Sequence, residues 1–214
     1  MSLRSDFFYK TLAPLYNQFV TSPSYREAIA RFFGNLEFNL ENKNILDAGC
    51  GTGVVALVLA RQHKEANIIG FDKSCDMVYQ AEKARIEKRY NNLEFCFGDI
   101  TKVNPLKTLD GRIKTIERES FGNIIVSGAL EHVNLNNGIK ELVKYLVRGG
   151  TFYSSSVRNN KAGRRLGKVM DFKPYSTLKV MEALADAGLK DISEISIYDR
   201  KLSKFRIAIK GTKS

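Results

Sequence analysis

Hydrophobic positions along the chain follow two rhythms. Before residue 40 they recur every three or four places. Tyr9, Leu12, Tyr16 and Phe19 gather on one side of a helix, and a second helix runs from Ser24, its N-cap, to about Phe33, where Gly34 stops it. From Asn44 onward, short β-rich runs alternate with helical stretches, as expected of parallel strands joined by crossover helices. The pattern predicts strands over 44–48, 67–71, 93–97, 123–127 and 151–157, and helices over 54–62, 76–89 and 135–147. The last of these helices lines up Leu135, Ile139, Leu142, Val143 and Leu146, with Gly149 and Gly150 as its stop. A further helix follows Tyr175, capped by Ser176, with Leu178, Met181 and Leu184 inward and Gly188 at its end. Two antiparallel strands close the chain. Ile195 and Ile197 mark the first; Phe205, Ile207 and Ile209 mark the second, with Lys204, Arg206 and Lys210 on its polar side. The sum is an α/β protein with a seven-stranded sheet, in which the connector 101–120 reads as a solvated helix or loop.

Where the first strand meets its crossover helix lies Ile45-Leu46-Asp47-Ala48-Gly49-Cys50-Gly51-Thr52-Gly53. Glycines let the backbone turn sharply there and let a ligand lie against the chain at the positive end of the next helix. In an open parallel sheet such a ligand sits outside the carboxyl ends of the strands. Asp72 closes the second strand 19 residues beyond Gly53, where a carboxylate accepts hydrogen bonds from two ribose hydroxyls. Asp99, in Phe97-Gly98-Asp99-Ile100, closes the third, within reach of an adenine amino group. With Asp47, three acids ring one site.

This constellation resembles the class I S-adenosylmethionine-dependent methyltransferases, from about Tyr9 to the C-terminus. The resemblance implies a Rossmann-like, mostly parallel sheet with helices on both faces and a C-terminal antiparallel hairpin. It also implies an N-terminal helical lid (1–40) on a methyltransferase domain (41–214), and S-adenosyl-L-methionine as cofactor. Carried over, Gly49, Cys50 and Gly51 approach the methionine part and Asp47 serves its amino group. Asp72, with Lys73 beside it, holds the ribose; Gly98 and Asp99 meet the adenine, and Met77 and Ile100 sandwich it. Ser127 lines the methionine pocket. Tyr9 and Tyr16 either pack in a core or form a lid whose aromatic faces cover the sulfonium. A dinucleotide fold also fits Gly51-Thr52-Gly53-Val54-Val55-Ala56, but Asp47 beside the loop would repel a pyrophosphate, whereas S-adenosylmethionine carries an ammonium and a sulfonium.

Methyl transfer to a nucleophile needs alignment and exclusion of water, and a base only when the acceptor arrives protonated. The acceptor site is expected at 127–133, which makes His132 and Glu131 the catalytic candidates. His132, of a residue type that titrates at about 6.5, acts as base or packs beneath the site. Glu131 acts on the acceptor or simply favours a helix start. Phe121-Gly122-Asn123 lacks the acid that many family members carry there, so no metal site and no metal-assisted catechol mechanism are expected. The Asp/Asn-Pro-Pro-Tyr signature of enzymes methylating exocyclic base amines is absent, and the cysteines do not match the Pro-Cys and Thr-Cys pairs of cytosine C5 enzymes.

Composition narrows the picture. With 43% hydrophobic and 27% charged residues, the chain is a globular type and neither fibrous nor wholly disordered. The longest aliphatic run has seven residues, far short of the ~20 that cross a bilayer. Three cysteines without a CxxC pair indicate neither a disulfide framework nor a zinc knuckle. Cys50 lies in the loop, Cys75 and Cys96 read as space-fillers, and the expected setting is the cytoplasm. The net charge of +11 comes mostly from 158–173 and 199–213, each with six basic residues and one acid. These fit a small, anionic acceptor. They also leave open an RNA methyltransferase using the basic loop and tail, and, less favoured, contact with an anionic membrane surface. A non-catalytic partner protein that keeps the cofactor fold is the reading from another class. The oligomeric state is left open.

Overall fold

The computed structural model describes residues 22–38 and 41–214. The predicted helix through Tyr9, Leu12, Tyr16 and Phe19, and the lid role of Tyr16, lie outside the described residues, as does most of the 1–40 segment. Helix α1 (Pro23–Gly34) starts one turn-residue earlier than its spacing predicts. Its cap is Ser22, whose hydroxyl accepts from the Tyr25 N–H at 3.3 Å, with Pro23 in the first helical position where no N–H is needed.

Beyond it the chain runs β1 (Asn44–Ala48), α2 (Val54–Gln62), β2 (Asn67–Asp72), α3 (Cys75–Lys88) and β3 (Leu93–Asp99). The strands β4 (Lys102–Thr108), β5 (Ile113–Lys114) and β6 (Phe121–Ser127) follow, then a short turn of helix at Leu130–His132 and α4 (Leu135–Val143). The chain finishes with β7 (Leu146–Val157), α5 (Lys161–Met170), α6 (Thr177–Asp186), β8 (Leu189–Glu194), α7 (Leu202–Phe205) and β9 (Arg206–Lys213). The sheet order is β5-β4-β3-β2-β1-β6-β7-β9-β8, with β3, β2, β1, β6 and β7 parallel and the outer pairs antiparallel. From β1 the chain steps outward to β2 and β3, then returns to β6 and β7 on the other side. Connections diverge where β1 and β6 lie side by side, and a crevice opens at their carboxyl ends.

Alternation along the strands divides the core into two layers. Leu46 and Ala48 of β1, with Ile124 and Val126 of β6, pack on Ile139 and Leu142 of α4 and Leu184 of α6. Ile45 and Ile125 face the other way, onto Phe33 of α1, Leu59 of α2 and Val78 of α3. Asp47 shares that second face and so points at the start of α2.

Several expectations are corrected. The sheet has nine strands rather than seven, because the connector 101–120 forms β4 and β5: Val103, Leu106 and Thr108 are buried against β3, while Pro105 falls between the paired stretches and masks the alternation. The predicted helix 135–147 ends at Val143, and Leu146, Gly149 and Gly150 belong to β7, where Leu146 pairs with Phe121. In the closing hairpin the first strand is Leu189–Glu194, before Ile195 and Ile197; Phe205 ends α7, and Arg206 is buried rather than on a polar face. In α6 the inward residues are Val180, Ala183 and Leu184, Met181 is half-buried, and Leu178 is 72% exposed. Cys96 fills core space as expected, whereas Cys75 is exposed at the start of α3. Among the described residues no helix is long and apolar enough to cross a membrane.

The two leucines of α6 separate the expected from the observed packing. Leu184→Ala should cost about 2–5 kcal/mol in urea unfolding, and Leu178→Ala should stay within about 0.5 kcal/mol of the parent.

Candidate functional site

The turn after β1 is shaped by three left-handed glycines, Gly49 (φ 69°), Gly51 (φ 54°) and Gly53 (φ 76°). At Gly49 close approach adds to conformation, since a Cβ there would stand 2.3 Å from the Ala129 Cβ. The loop uses its own donors internally. Gly49 and Cys50 N–H donate to the Phe71 carbonyl (2.8 and 2.9 Å), Gly51 N–H to Asp72 Oδ2 (2.9 Å) and Gly53 N–H to the Cys50 carbonyl (2.9 Å). A pyrophosphate cradle instead directs such N–H groups at its ligand.

The three acids occupy distinct environments. Asp47 is 1% exposed; its Oδ2 accepts from the Ala56 N–H in the first turn of α2 (3.0 Å), and its Oδ1 has no hydrogen-bond partner among the described residues. Burial pushes its carboxyl up to about 7, against the lowering effect of the Ala56 N–H and with a smaller push from the Asp72 charge. Asp72 bridges two backbones, accepting from Gly51 N–H through Oδ2 and from Ser74 N–H through Oδ1 (both 2.9 Å), so it ties the glycine loop to the cap of α3. Asp99 accepts the Thr101 hydroxyl (2.7 Å) and N–H (2.8 Å) on Oδ1, and the exposed Lys73 Nζ on Oδ2 (2.9 Å). These bonds, the Thr101 hydroxyl foremost, pull its carboxyl down to about 2.

Asp47, Gly49, Cys50, Thr52 and Ser127 line one cleft of about 220 Å³. Burial beside Asp47 and Asp72 pushes the Cys50 thiol well up, so it stays protonated. Other expected contacts stand elsewhere. Gly98 provides close packing, since a Cβ there would lie 2.4 Å from Leu106 Cδ2. Ile100 is buried in the core beside Gly49, and Met77 is partly open on the first turn of α3. Glu131 is turned inward, 4% exposed, with Oε1 accepting the Val157 N–H at 2.6 Å. His132 is exposed outside the cleft, its ring edge-on to Phe172 at 5.4 Å. The structure therefore brings together the loop, Asp47 and Ser127, and sets Glu131 and His132 apart from them.

Several cleft residues are not marked by the sequence pattern, among them Tyr25 and Arg26 of α1 and Arg206 at the start of β9. Arg26 is half-buried and has no ion-pair partner among the described residues. Nothing in the spacing of α1 or β9 marks these positions, because each reaches the cleft only through packing on a distant strand.

Comparison with known proteins agrees with this geometry. Residues 39–194 match a family model described as a methyltransferase domain. The release factor glutamine methyltransferase of Buchnera aphidicola is 27% identical over 158 residues, covering 68% of this chain and 56% of that protein. The malonyl-[acyl-carrier protein] O-methyltransferase of Priestia megaterium is 26% identical over 187 residues, covering 81% and 63%. The chain thus spans a little over half the length of these relatives. The crystal structure of geranyl diphosphate C-methyltransferase from Streptomyces coelicolor, in complex with Mg²⁺, geranyl diphosphate and S-adenosyl-L-homocysteine, superposes with a TM-score of 0.71 at 13% identity, covering 89% of this chain and 80% of that one. With its sheet order, its glycine turn and a family match over most of its length, the chain belongs to the class I S-adenosylmethionine-dependent methyltransferases.

Proposed function

We propose that the protein moves the methyl group of S-adenosylmethionine to a small, anionic acceptor. The observation that carries this reading is Asp47: a buried carboxylate in the cleft lining with one oxygen satisfied by α2 and the other unpartnered among the described residues. An uncompensated buried carboxylate is costly, and a cation is the group that removes the cost. The ammonium of an amino acid fits that need, and a pyrophosphate opposes it.

On this reading Asp47 holds the ammonium and Arg26 the carboxylate of the methionine part, with Gly49, Cys50, Gly51 and Ser127 against its chain. Asp72 offers its carboxylate edge to the ribose, while Asp99, Lys73, Met77 and Ile100 border the adenine. The bound cofactor supplies a methyl already activated on a sulfonium. The chain has to orient the acceptor behind that methyl and keep water out, with Tyr25 and Arg26 of α1 covering one side of the cleft. Glu131 serves as an internal brace rather than a base, and His132 would reach an acceptor only on the outer side of the 127–133 turn. The basic segment 158–173 supports an anionic acceptor. Its helix α5 is seated closely through Gly163, where a Cβ would lie 2.0 Å from the Arg158 carbonyl oxygen, and leaves Lys161, Arg164, Arg165 and Lys168 exposed.

Calorimetry should show binding of S-adenosylhomocysteine and none of NAD. Asp72→Ala should weaken that binding about tenfold or more, since charge-assisted hydrogen bonds to both loop and ribose are lost. Saturation with NAD in place of S-adenosylhomocysteine would overturn the reading.

The raised carboxyl of Asp47 sets a pH dependence. Below about 7 the free protein holds it protonated, and an ammonium partner needs the carboxylate, so binding releases a proton. Affinity for S-adenosylhomocysteine should therefore rise as pH goes from about 6 to about 8, and Asp47→Asn should be weaker and flat over that range. Without ligand the sign is opposite: the fold loses stability as pH rises from the ordinary carboxylate range toward about 7, because the unfolded carboxyl ionises there while the buried one keeps its proton. A wild-type affinity independent of pH would remove Asp47 from the ammonium site.

A further inference from the structure

The two basic segments, 158–173 and 199–213, stand far apart in the sequence and meet on one face of the fold. Arg158 N–H donates to the Phe205 carbonyl (2.8 Å) and its Nε to the Ser203 carbonyl (3.2 Å), while the Asn160 side-chain amide donates to the Lys204 carbonyl (3.1 Å). The start of α5 is thereby stitched to α7. Because α5 leaves the carboxyl end of β7, this face lies at the edge of the sheet on which the crevice opens.

On α5 the bases form one stripe. Lys161, Arg164, Arg165 and Lys168 stand at i, i+3, i+4 and i+7, all exposed and with no acid among them. Every pair three or four residues apart is of like charge, which weakens a helix, and the glycines Gly163 and Gly167 weaken it further. Those glycines are buried where the helix is seated on backbone: a Cβ at Gly163 would lie 2.0 Å from the Arg158 carbonyl oxygen, and one at Gly167 2.5 Å from that of Phe172. Helix α5 thus presses its small residues onto the body and turns a row of cations to solvent. Arg200, Lys201 and Lys204, also exposed, continue the row around α7. None of these seven side chains has an ion-pair partner among the described residues. Of the acids in the two segments, Asp199 is taken by Arg31 at 3.4 Å and Asp171 caps the far end of α5.

The kind of partner follows from what the face lacks. A helix that binds a lipid surface brings large apolar residues to it, whereas Leu166 and Met170 are half-buried on the glycine side of α5. A protein interface has an apolar centre depleted of lysine, and the row contains none. A chain of phosphates needs only spaced cations. Tyr198, 93% exposed and two residues before Arg200, adds an aromatic face on which an unpaired base stacks. Asn159, exposed at the head of the stripe, spends its carbonyl and Oδ1 on Arg164 Nη1 (3.3 and 3.1 Å), which leaves its amide N–H groups as donors to a 2′-hydroxyl. We propose that the α5–α7 face docks single-stranded RNA, with its phosphates along the stripe and a base on Tyr198. The proposal goes beyond the acceptor reading and stands apart from it, since it concerns where the chain docks, whatever the cleft methylates.

The test follows the fluorescence anisotropy of a labelled oligouridylate of about 15 nucleotides on the full chain, beside the matching oligodeoxyuridylate, an RNA duplex of the same length and vesicles of phosphatidylserine and phosphatidylcholine. At about 50 mM salt the oligouridylate should bind saturably, about threefold tighter than the deoxy strand and tighter than the duplex. Its log K should fall against log salt with a slope of about −3 to −4, as for about four to five phosphates of a single strand. Arg165→Glu with Lys168→Glu should weaken binding about tenfold or more, and so should Lys201→Glu with Lys204→Glu, whereas Arg165→Lys with Lys168→Arg should keep it within about twofold. Lys83→Glu with Lys88→Glu on α3 changes the net charge equally and should also stay within about twofold, because charges beyond the row are screened. Tyr198→Ala should cost about fivefold or more and Tyr198→Phe little, and Asn159→Ala should erase the preference for RNA over the deoxy strand. Should a charge reversal unfold the chain, the corresponding pair of Gln substitutions carries the comparison. The proposal is overturned if the oligouridylate does not bind, if the α3 pair weakens binding as much as the α5 pair, if the deoxy strand or the duplex binds as tightly, or if vesicles are bound and RNA is not. Binding of S-adenosylhomocysteine is measured separately on the wild type; its failure would strike the cofactor reading and leave the RNA titration to be judged by itself.

Discussion

One carboxylate at the junction of β1 and α2 organises the rest of the crevice. Asp47 has its first oxygen on the opening turn of α2 and so fixes where that helix begins relative to the strand. Its second oxygen has no partner among the described residues, in surroundings dry enough to push the carboxyl up to about 7. Helix α2 offers positive potential at that point, which tolerates the charge without satisfying it. The result is a buried carboxyl in the cleft lining, the group to which the ammonium of the proposed cofactor would donate.

The glycine turn next to it is built to match. A glycine-rich turn between strand and helix can direct its N–H groups outward to hold phosphates, or it can close them on the protein. Here the Phe71 carbonyl, Asp72 and the Cys50 carbonyl take four of them. Asp72 thereby has two consequences at once, bracing the loop against β2 and keeping negative charge along the crevice. Loop geometry alone is shared with dinucleotide-binding folds. What distinguishes this loop is where its hydrogen bonds end and the sign of the charge around it.

The sheet order divides the crevice. Asp47, Asp72 and Asp99 lie at or near the carboxyl ends of β1, β2 and β3, whereas beside β6 and β7 Arg206 is buried, donating to the Tyr25 hydroxyl and the Ser155 carbonyl. Helix α1 borders the same cleft, where Arg26 joins the lining and the Tyr25 hydroxyl accepts from Arg206.

The amino-acid sequence by itself determined the α/β alternation, most strand and helix limits from Asn44 to Val157, and the placement of Asp72 and Asp99 at the ends of the second and third strands with Asp47 inside the first. These are local properties: periodicity, glycines that allow a left-handed turn, and polar caps act over a few residues and are written in order along the chain. Tertiary structure alone decided that 102–114 would add two strands beside β3, that β7 would begin at Leu146 inside an apparently helical pattern, and that Leu178 would face solvent. It also turned Glu131 inward, left His132 outside, and carried Arg206 from an apparently polar strand face to the cleft. Each of those outcomes depends on which distant strand or helix supplies the partner, and neither strand pairing across a sheet nor the burial of a single charge leaves a mark in the spacing of the residues themselves.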